Sequence, residues 1–166
     1  MFISNYKKKL LDAVIVLIIF LIDRASKIYI LKIAEVENAV DMYITPYLNF
    51  YLIWNKGIAF GLASFHESSI YNFMTVIIGL IVLGILILIF KLEGAKKYSF
   101  ILVLGGALGN LYDRIYYSAV PDFIDFHIND FHWFIFNVAD IFITLGIICL
   151  IFAEIFIDNK KNETIF

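Results

Sequence analysis

Four aspartates stand where a strongly apolar chain has little room for charge: Asp113, Asp122, Asp125 and Asp140. An ionisable group in or beside hydrocarbon costs about 2.5–3.5 kcal/mol even on lenient insertion scales. Several such acids in one short stretch therefore point to a use. Two carboxylates close together cannot both ionise cheaply, so one keeps a proton. The ionised one can take a proton from water as it attacks an amide carbonyl. The protonated one can polarise that carbonyl and later protonate the leaving amine. Asp140 opens an apolar segment in Phe136-Asn137-Val138-Ala139-Asp140, where a helix N-terminus favours an acid, and is the best single candidate. Asp122 stands in the preceding loop and can fold back over it. Pattern alone leaves the second member of the pair open.

Other residues qualify less well. Asn110 and Asp113 are three apart and share a helical face, with Arg114 beside them. Arg114 is expected to face the site, held partly by Asp113, with donors left for a substrate carbonyl. Asp23 and Lys27 are spaced i, i+4 with the acid first, the favourable order for an ion pair. Ser26 beside Lys27 hints at a serine–lysine hydrolase, but adjacent helical residues point apart and cannot easily share a proton. His127 and His132 match no familiar metal spacing and read as exposed loop residues. His66 carries no signal. Cys149, the single cysteine, lies in an apolar run and reads as packing.

These groups must be held by membrane helices. The chain has 166 residues, 62% of them hydrophobic, with a mean hydropathy of +0.88; soluble domains are about 45–50% apolar. The reading is an all-α membrane protein forming one domain over residues 1–166, with four spans at about 10–31, 71–90, 98–115 and 138–157. Lys7, Lys8 and Lys9, then Lys91, Lys96 and Lys97, then Lys160 and Lys161 mark the cytoplasmic side, so both termini are expected there. The two longer loops face outward. In the first, strand formers from Tyr47 to Trp54 meet the turn signal Asn55-Lys56-Gly57, and Ile58 to Leu62 follow, predicting a β-hairpin. The second is aromatic and is expected to lie along the interface. Gly105 and Gly109 form a small-xxx-small pair that lets another helix come close.

At these residues the chain resembles the bacterial lipoprotein signal peptidases, also called signal peptidase II. The resemblance runs through Asp23-Arg24-Ala25-Ser26-Lys27, Asn55-Lys56-Gly57-Ile58-Ala59-Phe60, Gly105 to Arg114, Val120-Pro121-Asp122-Phe123-Ile124-Asp125 and Phe136 to Asp140. It implies an intramembrane aspartyl endopeptidase with Asp122 and Asp140 as the catalytic pair. It also implies cleavage before the lipidated cysteine of diacylglyceryl-modified prolipoproteins. Asp23, Lys27, Asn55, Gly57, Gly105, Gly109, Asn110, Asp113, Arg114, Asn137 and Ala139 fall on positions that support or line the site. The first outer loop becomes a cradle and the second a flap. Pro121 and Ile141 depart from the usual aliphatic residue and serine. No cofactor, metal or nucleic acid is implied; the partners are the prolipoprotein substrate and membrane lipid, and a monomer is expected. Two other classes fit the buried acids, a small proton-coupled transporter and a non-enzymatic lipid-binding helical protein.

Overall fold

The computed structural model describes residues 2–57, 68–129 and 131–158. Four long helices carry the chain: α1 (Phe2–Glu37), α2 (Ser68–Lys91), α3 (Gly94–Tyr117) and α4 (Val138–Phe152), the last continuing as a π-helical turn, Ala153–Asp158. α1, α2 and α3 cover their expected segments and run past them at both ends, because polar flanking turns stay helical without adding to the apolar run, while α4 starts where expected and passes 152 only as the π-helical turn. Two of them, at Ser69–Lys91 and Val138–Phe156, are long and apolar enough to cross a membrane by length and composition. α2 leaves Phe73, Val76, Leu80, Ile81 and Leu83 exposed. A helix apolar all round with its side chains outward suits hydrocarbon surroundings.

α3 is the central helix, packing on α1, α2 and α4. Val82, Ile89, Ile101 and Leu104 form the buried seam between α2 and α3. Two glycines let α1 close on α3. A Cβ on Gly105 would stand 2.7 Å from Ile19, and one on Gly109 would stand 2.5 Å from the Asp23 carboxylate. Gly106 does the same for α4, where a Cβ would strike the Ala139 carbonyl oxygen.

The outer segments differ from expectation. β1 (Asp41–Thr45), β2 (Leu48–Asn55), β3 (Val120–Ile128) and β4 (Phe131–Phe136) form one antiparallel sheet in the order β1-β2-β3-β4. The strand expected at 47–54 exists, but its hairpin partner lies upstream. Thr45 pairs with Leu48 across Pro46-Tyr47, and the Tyr47 N–H donates to the Thr45 hydroxyl. Proline presets φ for such a turn. The second strand expected at 58–62 lies outside the described residues. The second of these loops, read as aromatic, folds as β3 and β4 and pairs with the first. Ile30, Val40 and Phe123 form a second core cluster that seats this sheet on the end of α1.

Candidate active site

Ser118, in the left-handed conformation with φ 56°, ends α3 and turns the chain into β3. Asp122 follows four residues later, 2% exposed. β4 then leads back to Asn137, the N-cap of α4. The Asn137 side chain accepts the Asp140 N–H and the Asp140 carboxylate accepts the Asn137 N–H, both at 3.2 Å, a reciprocal capping box. The same geometry also orients the rest of the side chain. With its oxygen engaged, Asn137 turns its Nδ2 to Asp122 and donates at 2.5 Å. One asparagine thus bridges the two carboxylates.

Two further amides are oriented in the same way. The Asn55 oxygen accepts the Gly57 N–H at 2.8 Å, leaving Nδ2 to donate to Asp122 at 2.9 Å. The Asn110 oxygen accepts from Lys27 Nζ at 2.9 Å, leaving Nδ2 to donate to Asp140 at 2.8 Å. Each amide has a fixed donor on one side, so each must present N–H to a carboxylate on the other. Asp122 and Asp140 therefore receive neutral donors. Among the described residues, no cation forms an ion pair with either of them. Burial pushes Asp122 up to about 6, and the nearby charge of Asp140 adds to the rise, while the Asn55 and Asn137 bonds oppose it.

Beneath the pair lies a cluster of full charges. Lys27, completely buried, reaches Asp23 at 3.0 Å, four residues before it as expected, and Asp113 at 2.6 Å. Arg24 joins the same two acids, at 2.9 Å to Asp23 and 2.5 Å to Asp113. Asp23 Oδ1 also accepts the Ala139 N–H at 3.0 Å, tying the cluster to the start of α4. Ser26 donates to the Asp23 carbonyl, so the serine and lysine are not coupled.

Three sequence expectations change. Arg114 is not held by Asp113, because Arg24 and Lys27 engage that acid. It donates instead to the Gly57 carbonyl at 2.6 Å and lies over the Tyr71 ring, 5.6 Å from the centroid. His127 is buried, and His132 is tied to Asp125 at 2.8 Å rather than lying free in a loop. Arg24 was not singled out as a site residue. Its signal was an arginine beside Asp23 within an apolar helix, a charge that needs a second acid.

A family model described as signal peptidase (SPase) II matches residues 15–156. A lipoprotein signal peptidase of Pelagibacter ubique (strain HTCC1062) is 59% identical over 159 residues, 96% of each chain. The chain belongs to the signal peptidase II family. A second signal peptidase II relative, the lipoprotein signal peptidase of Francisella tularensis subsp. tularensis (strain SCHU S4 / Schu 4), is 44% identical over 75% of this chain and 80% of its own. A solved bacterial membrane enzyme, determined by the in meso method at 2.3 Å resolution, superposes with a TM-score of 0.69 and 26% identity. It covers 91% of this chain and 90% of that one. Signal peptidase II membership makes this protein a peptidase.

Proposed function

We propose that this peptidase is an intramembrane aspartyl endopeptidase that removes the signal peptide from diacylglyceryl-modified prolipoproteins. The observation that carries the reading is the pair Asp122 and Asp140, joined through Asn137 and held by neutral amides with no counter-ion among the described residues. Such a pair retains one proton, which is the state hydrolysis needs. Burial and the neighbouring Asp140 charge raise the Asp122 carboxyl to about 6, and the resting proton belongs to the pair as a unit. Water bridged between the two gives a proton to Asp140 as its oxygen bonds to the scissile carbonyl carbon. Asp122 donates to that carbonyl oxygen. As the C–N bond breaks, Asp140 passes its proton to the leaving amine of the cysteine while a hydroxyl of the collapsing diol returns its proton to Asp122, so the pair again holds one proton. No metal is needed for these steps.

The site belongs at the outer leaflet, with both termini cytoplasmic, because the lysine-rich flanks lie at the other end of the helices. Trp133 and Phe131 on β4 and Tyr43 on β1 are exposed on the sheet that carries Asp122. Aromatic surface of this kind suits acyl chains at an interface. Burying a lipid contributes about 0.8 kcal/mol per methylene, and that remote binding energy positions the scissile bond. A transporter reading asks for acids strung across the helices. Here Asp23 and Asp113 are neutralised by Arg24 and Lys27, and the uncompensated acids gather at one end.

The test is incubation of purified protein with a diacylglyceryl-modified prolipoprotein, followed by mass analysis. The expected products are the free signal peptide and a mature chain beginning at the lipidated cysteine. The unlipidated form should be cleaved poorly. Equal kcat/KM for the two substrates would remove the lipid from the recognition argument, and an unchanged mass would remove the function.

A further inference from the structure

A second constellation lies on the same sheet and takes no part in the dyad. Asp125 and His127 are two apart on β3 and share a face, and His132 is the register partner of His127 on β4. One ligand atom from each of the three residues lies within 4.8 Å of the others. His132 Nδ1 approaches both Asp125 oxygens, at 3.0 and 2.8 Å. The two imidazoles stack with centroids 5.0 Å apart. His127 is 9% exposed, and its Nδ1 faces Asp125 at 3.8 Å with no hydrogen-bond partner among the described residues. Asn49 of β2, the register partner of Asp125, likewise holds a buried amide oxygen with no partner among the described residues. A buried polar atom left unpaired is costly.

A cation at the centre of this group supplies what these atoms lack. We propose that the β3–β4 hairpin binds a zinc-class divalent ion through Asp125, His127 and His132, with a fourth position for water or the Asn49 amide oxygen. Two imidazoles and one carboxylate suit a borderline ion better than magnesium or calcium, which favour all-oxygen shells. Ligand atoms of a tetrahedral zinc site sit about 3.3 Å apart, so the cluster must tighten slightly around the ion. His132, with its side chain 55% exposed, has room to turn and opens the path from solvent. The consequence is mechanical. β3 carries Asp122 and β4 runs into Asn137, so an ion tying the two strands fixes the frame on which the bridged pair is built. The ion is not a reactant, since neither Asp122 nor Asp140 ligates it.

The experiment uses untagged, full-length protein in detergent, stripped with chelator and titrated with zinc chloride by calorimetry. Cobalt(II) chloride titration, read by visible absorption, reports the ligand geometry. One zinc per chain is expected, with a thermal unfolding midpoint that rises on zinc addition. His132→Ala should weaken binding by roughly tenfold or more and abolish that rise. Because His132 is exposed, the metal-free variant should unfold where the metal-free parent does. His127→Gln should weaken binding in the same way. Absence of saturable zinc binding would overturn the site, as would equal binding of magnesium. Undiminished affinity in His132→Ala, or loss of binding in Asp122→Asn instead, would move the ion to other ligands and overturn the assignment.

Discussion

Two groups of buried acids lie side by side in this protein and are treated in opposite ways. Asp23 and Asp113 face full positive charges, Arg24 and Lys27, and the cluster sums to zero. Among the described residues, Asp122 and Asp140 accept side-chain or backbone amide N–H groups from Asn55, Asn110 and Asn137 and no full positive charge. An acid met by full positive charges serves as scaffold. An acid held by neutral donors keeps its proton negotiable. The difference teaches where chemistry can occur: not wherever carboxylates are buried, but where burial is left uncompensated by charge. The two groups are also linked. Lys27 orients Asn110, and Asn110 holds Asp140, so the scaffold sets the geometry of the reactive pair.

The sharpest way to break the comparison is to exchange a carboxylate for its amide in each group. Asp122→Asn and Asp140→Asn should each lower kcat by roughly 10²–10⁴-fold or more, the scale of general acid/base catalysis. The thermal unfolding midpoint should change little, since no ion pair is lost. Near-normal turnover in either well-folded variant would erase the distinction. Lys27→Met should do the reverse and act first on stability. It leaves Asp23 and Asp113 short of a cation, and breaking a buried pair costs about 3–5 kcal/mol. Denaturant unfolding checks this, and an unchanged midpoint would mean the cluster is not a scaffold.

Smaller changes sharpen the picture. Gly109→Ala puts a methyl 2.5 Å from the Asp23 carboxylate. It should push α1 from α3, destabilising by about 1–3 kcal/mol as overpacking does. Arg114→Lys should cost less, about tenfold in kcat/KM. Lysine can keep one bond to the Gly57 carbonyl but loses the planar stacking on Tyr71, so Asn55 is less firmly aimed at Asp122. Wild-type turnover in that variant would reduce Arg114 to a charge.

Much of this was legible in the sequence where the physics is local. Asp23 and Lys27 met at one helical turn, Gly105 and Gly109 marked a close helix contact, and Asp140 stood out as an acid at a helix N-terminus. The apolar runs placed all four helices. What stayed hidden depends on distant pairing. Arg24 finds Asp113 across 89 residues, which no periodicity encodes. Aromatic, strand-forming residues gave a strand at β2 but not its neighbours, because a strand with two open edges does not name its partners. His127 looked exposed because a loop was expected; its alternation with Phe126 and Ile128 becomes visible only once β3 exists.

The pair's proton is the centre of the account, and it can be watched directly. Asp122 has its carboxyl raised from 3.8 to about 6. Its protonated form is therefore favoured on folding, and the stability it contributes is lost as pH rises through about 6. The measurement is an infrared pH titration of the carboxylic C=O stretch, wild type minus Asp122→Asn. The account predicts a protonated carboxyl that disappears with a midpoint near 6, as one step of the coupled pair, and that is missing from the variant. A wild-type spectrum with no protonated carboxyl titrating there, or a band that survives unchanged in Asp122→Asn, would contradict it.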